Sequence, residues 1–166
     1  LYSGNDNAVA IADHIAGSTE KFAEMMNAEA KKLMATNSHF VNPSGLHDDN
    51  HYTTAYDLYL IFNECIKHDD FVKIINSSSY TAHITGADGT KRDVKWEPTN
   101  YYAKGEATPP DNVTIIGGKT GTTKGAGNCL ILLTKDSSGN PYISIIMGAG
   151  SKPLLYQDMT SMLSKI

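Results

Sequence analysis

Ser3-Gly4-Asn5 and Lys119-Thr120-Gly121-Thr122 hold the residue types that acyl transfer through a serine ester requires. At neutral pH that chemistry needs an activated hydroxyl, a proton acceptor, donors for a developing oxyanion and a cation for an anionic substrate. The Ser3 hydroxyl can relay a proton between a base and a leaving nitrogen. The Asn5 amide can donate to a substrate carbonyl and accept from a lysine at once. The Lys119 ammonium raises the local positive potential, which helps to depress the pKa of a neighbouring amine or hydroxyl. Gly121 has no side chain and leaves room for substrate along a strand edge, and the following Thr122 N–H can point at an oxyanion. In this order the two stretches read as the S-x-N and K-T-G elements of an active-site-serine enzyme, a set completed by an S-x-x-K nucleophile. That third element is expected upstream of Ser3.

Other readings of the same letters are weaker. Ser138-Gly139-Asn140 repeats the S-x-N letters, but it lies in a hairpin turn and on the wrong side of K-T-G. Ser18-Thr19-Glu20-Lys21 matches S-x-x-K, yet it follows S-x-N, and its serine is placed to cap a helix. Gly117-Gly118-Lys119-Thr120 resembles the end of a phosphate-binding loop. That motif requires glycine where Val113 stands, and a helix where a β-like run follows. His39, His47 and His51 with Asp48 and Asp49 have metal-ligand chemistry, but they fit solvated loop residues better. No metal and no cofactor is expected. Asp48 is the one carboxylate of that loop considered as a water-activating base.

Bulk properties bound the answer. The 166 residues suit one domain with a real core. A net charge of −4 and a pI near 5.8 argue against nucleic acid or an anionic membrane surface as the main partner. No apolar run reaches the roughly 20 residues that span a bilayer. The start, with neither initiator Met nor signal peptide, reads as a cut. Two cysteines, Cys65 and Cys129, are too few for a disulfide framework and are expected as buried free thiols.

The elements that must position the motifs fall into a helical part, about 1–76, and a mainly β part with a C-terminal helix, about 77–166. Residues 6–16 form a helix stopped by Gly17. Ser18 caps the next, with Phe22, Met25, Met26, Leu33 and Met34 on its apolar stripe. Residues 36–52 form a long polar loop with a turn at Asn42-Pro43-Ser44-Gly45. Thr54 to Asp57 reads as a capping box with Asp in place of Glu, opening a helix whose Leu58, Ile61, Phe62, Cys65 and Ile66 face the core. A short helix is expected over 71–75. Strands over 79–85 and 91–97 flank a turn at Ala87-Asp88-Gly89. A loop over 104–112 leads to a strand through Val113–Ile116 and the Gly117-Gly118-Lys119 segment. Strands over 128–134 and 142–147 form a second hairpin, and a helix over 157–166 ends the chain. Helices first and antiparallel strands later give an α+β class, with helices on an antiparallel sheet.

Leu1 to Asp6, with Ala8, Val9, Ala12 and Asp13 behind it, resembles the second motif region of low-molecular-mass penicillin-binding proteins, the serine-type D-alanyl-D-alanine carboxypeptidases. His39 to His47 and His51 to Leu58 resemble that family's loop and following helix. Gly118 to Thr123 and Ala126 to Leu130 resemble its third motif and the strand after it. The similarity runs nearly end to end and in order.

The resemblance implies a β-lactamase/transpeptidase-like fold, a five-stranded antiparallel sheet between helical layers, incomplete here on its N-terminal side. It implies removal of the terminal D-alanine from peptidoglycan stem peptides through an acyl-serine intermediate, with β-lactams as inhibitors. Ser3 would relay protons, Asn5 would hold the substrate backbone, and Lys119 would pair with Ser3. Thr120 would hold the carboxylate end, Gly121 would leave space, and Thr122 N–H would complete the oxyanion hole. The nucleophile and its lysine are absent from this chain, which makes it inactive alone unless that segment is supplied as a separate chain. An incomplete sheet would expose an edge and apolar faces, a liability for association. Family members often carry an arginine near the substrate carboxylate, and the only arginine here is Arg92. Two alternatives remain. One is a β-lactamase, disfavoured because residues 36–52 lack a glutamate for deacylation. The other is a non-catalytic peptidoglycan-binding module. The chemistry implies work outside the cytoplasm.

Overall fold

The computed structural model describes residues 2–166 and shows the expected α+β class. Helices α1 (Asn5–Ala16) and α2 (Thr19–Lys32) pack on each other. Gly17 adopts φ 80° and returns its N–H to Asp13 O, so the chain reverses there at no steric cost. Ser18 Oγ then accepts from Lys21 N, capping α2. The buried residues of α2 are Ala23 and Ala30, not the methionines. Met25 is half exposed, and Met34 lies beyond the helix end at φ 63° and is 71% exposed. The expected stripe is corrected at those two positions, while Phe22, Met26 and Leu33 are half-buried and the small alanines make the closest approach.

Helices α3 (Ala55–Cys65) and α4 (Asp69–Ile75) follow the long loop. A two-stranded ribbon, β1 (Tyr80–Thr85) with β2 (Lys91–Trp96), then stands apart from the main sheet. The main sheet is antiparallel in the order β3 (Val113–Thr123), β4 (Gly127–Asp136), β5 (Pro141–Ala149). It has three strands against five in the family's sheet, in keeping with the incomplete sheet expected here. The ribbon is two-faced: Tyr80, Ala82, Ile84, Val94 and Trp96 share one side, and Thr81, His83, Lys91, Asp93 and Lys95 the other.

Two faces of the sheet are covered differently. Leu130 and Leu132 of β4 point to helix α6 (Lys152–Leu163), where they meet Leu155, Met159 and Leu163. Each such buried side chain contributes about 1.5–3 kcal/mol. A short helix α5 (Tyr101–Lys104), not expected from sequence, seals this layer. Tyr156 Oη accepts from Tyr101 N at 2.9 Å, and Tyr102 shares a 2.7 Å hydroxyl bond with Thr160. Helix α6 begins five residues before the expected position 157, because Ser151 caps it and Pro153 is compatible with a first turn. The opposite face of the sheet meets α3 through β5 and α4 through β3.

Close approach of α4 to β3 depends on glycine. A Cβ on Gly117 would lie 2.2 Å from Ile75 O, and one on Gly118 would lie 2.1 Å from Ile131 O. Gly117 lets the helix end rest on the strand just before Lys119, and Gly118 leaves room for β4 beside it. No helix among the described residues is long and apolar enough to cross a membrane. Cys65 and Cys129 are free, as expected, but half-buried rather than buried.

Candidate active site

Ser3 lies on the lead-in to α1, and Lys119 lies on β3, the edge strand of the sheet. Lys119 Nζ donates to Ser3 Oγ at 3.1 Å and to Thr120 O at 2.6 Å. The ammonium is thus held by one side chain and by its own strand. Lys119 is exposed as a residue, yet desolvation of its ammonium pulls its pKa below the usual lysine value.

The side chain of Lys119 shares a sheet face with its register partners Ile131 and Ile145, and Thr120 faces the other way with Leu130. Thr120 Oγ1 shares a 2.6 Å hydrogen bond with Thr99 Oγ1, and Thr122 Oγ1 donates to Asn128 Oδ1 at 3.2 Å. A cleft of about 240 Å³ runs along this edge, with Ser3, Thr99, Thr120, Gly121 and Thr122 among its walls. Nothing lies within 4 Å of the position a Gly121 Cβ would take, so the strand is open there, and Gly121 borders the cleft. Ser3, Lys119, Thr120, Gly121 and Thr122 are therefore brought together. Asn5 is placed differently: it opens α1, lines a neighbouring groove with Ser3 and Trp96, and makes no side-chain hydrogen bond among the described residues.

The loop over 36–52 forms the far wall. Phe40, the Asn42–Gly45 turn and His51 face Lys119 and Thr122 across a wider groove. Two clamps fix the loop. Asn27 of α2 bonds both ways with the Phe40 backbone, donating to Phe40 O at 2.7 Å and accepting from Phe40 N at 2.8 Å. Asp57, 1% exposed, accepts from Asn37 N at 2.8 Å and Ser38 Oγ at 2.7 Å. Asp57 does not close a capping box: its N–H donates to Thr54 Oγ1, but its carboxylate reaches away to the loop. The histidines serve the same wall. His51 Nδ1 accepts from Val41 N, and His47 packs where a Cβ on Gly125 would sit. Burial holds the His51 pKa below its usual value, partly opposed by Asp48. Among the described residues no cluster of three or more His, Cys, Asp or Glu could hold a metal.

Arg92 is on β2 opposite Ile84, away from the cleft. Lys152, the first residue of α6, lines the cleft instead. Thr99, Tyr101, Lys152 and Asp57 were not singled out from sequence as site residues. Thr99 and Tyr101 come from one segment and Lys152 from another, and they leave no local signal. Asp57 had one, a carboxylate on the same helical stripe as Ile61 and Cys65.

A lysine-paired serine thus stands at the edge of an antiparallel sheet with helices on both faces. Residues 1–151 match the family described as D-alanyl-D-alanine carboxypeptidase, and the chain belongs to that family. It is 31% identical to the D-alanyl-D-alanine carboxypeptidase DacF of Bacillus subtilis over 98% of this chain and 39% of that protein. It is 34% identical to DacD of Escherichia coli over 90% of this chain and 35% of that one. A point mutant of a Streptomyces DD-transpeptidase superposes with a TM-score of 0.87 at 29% identity, covering 99% of this chain and 63% of its own. The chain thus spans about two fifths of the curated relatives it matches.

Proposed function

We propose that these residues form the proton-relaying and substrate-holding half of a D-alanyl-D-alanine carboxypeptidase active site, acting on peptidoglycan stem peptides through an acyl-serine intermediate. The observation that carries this reading is the Lys119–Ser3 pair beside an open strand edge at Gly121. In it, Ser3 relays a proton toward the leaving nitrogen, and Lys119 keeps the site positive. Thr120 holds the carboxylate end of the substrate, and Thr122 N–H donates to the oxyanion. Asn5 swings its amide to the substrate backbone from the start of α1. The nucleophilic serine and its lysine come from residues other than these. The one S-x-x-K match, Ser18–Lys21, is absent from the cleft walls, and its serine is engaged as a cap. The enzyme would work as a serine peptidase outside the cytoplasm, secreted or at the outer face of the membrane, and β-lactams would acylate it.

The test is turnover by the protein with an S-x-x-K segment supplied. Release of D-alanine from a diacyl peptide ending in D-Ala-D-Ala, with slow penicillin turnover, supports the reading. Fast penicillin hydrolysis would make it a β-lactamase, and binding without turnover would make it a peptidoglycan-binding module.

A further inference from the structure

Strand β3 divides the polar groups of the site between two faces. Lys119 lies on the Ile131 face, and its ammonium is taken up by Ser3 Oγ and Thr120 O. Side chains alternate along a strand, so Thr120 points to the other face with Leu130, the face that α6 covers. The 240 Å³ cleft opens on that side, and Lys152 is the one charged residue among its described walls. The rest of the wall beyond Thr120 is neutral: Thr99, Tyr101, Leu155 and Tyr156.

The other charges nearby are paired or distant. Lys95 meets Glu97 at 3.0 Å, and Lys104 pairs with Glu106. Glu97 walls an adjoining trough and not the cleft. Arg92 sits on the ribbon opposite Ile84. Lys152 has no carboxylate partner among the described residues. Its ammonium stands 5.9 Å from the centre of the Tyr101 ring, in the first turn of α6, where the helix dipole favours an anion. Thr99 and Thr120 supply the complement. Their hydroxyls share one hydrogen bond at 2.6 Å, so one O–H donates within the pair and the other is left to donate outward. A spare hydroxyl donor and an unpaired ammonium in one cleft are the partners that a carboxylate takes.

Resting on the carboxypeptidase reading, we infer that Lys152 is the specificity-determining cation of this cleft: with the Thr99–Thr120 pair it receives the substrate's terminal carboxylate, so that a free C-terminus is selected over a blocked one. The single departing D-alanine ends there, with its carboxylate at Lys152 and the scissile carbonyl at Thr122 N–H. A lysine in this place acts as a point charge, without the two-pronged geometry of a guanidinium.

The probes are N-acetyl-D-Ala-D-Ala and its C-terminal amide, titrated into the chain while the Thr120 and Thr122 amide resonances are followed. The acid should bind about three- to tenfold tighter than the amide, and added salt should narrow that gap. Lys152 is exposed, so Lys152→Met and Lys152→Arg should leave the fold intact. Lys152→Met should erase the preference for the acid, and Lys152→Arg should retain it. A preference that survives in Lys152→Met would overturn the assignment of Lys152 and leave the carboxypeptidase reading standing. Equal weakening of both peptides in Lys152→Met would make the lysine a prop for Tyr101 and overturn the inference as well. Equal binding of acid and amide by the wild-type chain would overturn the carboxylate pocket itself. Silence of Thr122 with both peptides would remove the carboxypeptidase reading and this inference together.

Discussion

Lys119 Nζ stands 3.1 Å from Ser3 Oγ, so two residues 116 positions apart in sequence share one proton-bearing contact. Ser3 is carried by the entry to α1 and Lys119 by the edge of the sheet. The contact therefore depends on how the helical part is seated against β3. Gly117 and the end of α4 provide part of that seating.

Removing either partner should cost catalysis more than stability, because the pair is exposed. In protein supplied with S-x-x-K, Ser3→Ala and Lys119→Ala should each lower kcat/KM for a D-Ala-D-Ala peptide by about 10²–10⁴. Denaturant midpoints should stay close to wild type. Steady-state kinetics alongside a urea melt checks this.

Two glycines of one strand should behave oppositely. Gly117→Ala drives a Cβ into the Ile75 carbonyl and should destabilise the fold by about 1–3 kcal/mol or more. Gly121→Val meets open space, so the protein should fold with near-wild-type stability and lose binding in the cleft. Paired melting and peptide-binding measurements on the two variants separate these outcomes.

Asp57 should prove a structural anchor of the loop wall. Asp57→Ala strands Asn37 N–H and Ser38 Oγ and should destabilise by about 2–4 kcal/mol. Hydrogen exchange should quicken first at residues 36–46. Uniform exchange across the sheet instead would show that the anchor acts on the whole fold.

Acid should loosen the same wall through His51. Its folded pKa is lowered by burial, so its neutral form is favoured in the native state, and the unfolded chain binds more protons in the window just below about pH 6.5. Stability from this group is present above the unfolded value and is lost as pH falls through the lowered native one. Protonation also removes the Nδ1 acceptor used by Val41 N–H. The His51 resonance should titrate below pH 6.5, with faster amide exchange at Val41 on the acid side.

Much of the architecture was legible because it rests on local chemistry. Ser18 and Thr54 are caps whose partners lie three residues on, and Gly17, Gly89 and Gly139 mark turns by their positive φ. Periodicity misled at Met25 and Met34, since an apolar residue on a stripe does not say whether a neighbour reaches it. Helix α6 starts earlier than expected because Ser151 caps it and Pro153 sits comfortably in its first turn. The family resemblance carried by the motif letters implied that Lys119 would pair with Ser3, and the structure brings them into hydrogen-bond contact. Nothing local could foretell that Thr99, Tyr101 and Lys152 would meet beside Thr120, because that meeting is made by two distant segments folding onto one edge.

Intact mass after incubation with a penicillin tests the central claim most directly. The chain alone should gain no adduct. Supplied with an S-x-x-K segment, the protein should gain one penicillin on the serine of that segment, at a rate that falls sharply in Lys119→Ala. An adduct on Ser3 or Ser18, or acylation indifferent to Lys119, would contradict the account.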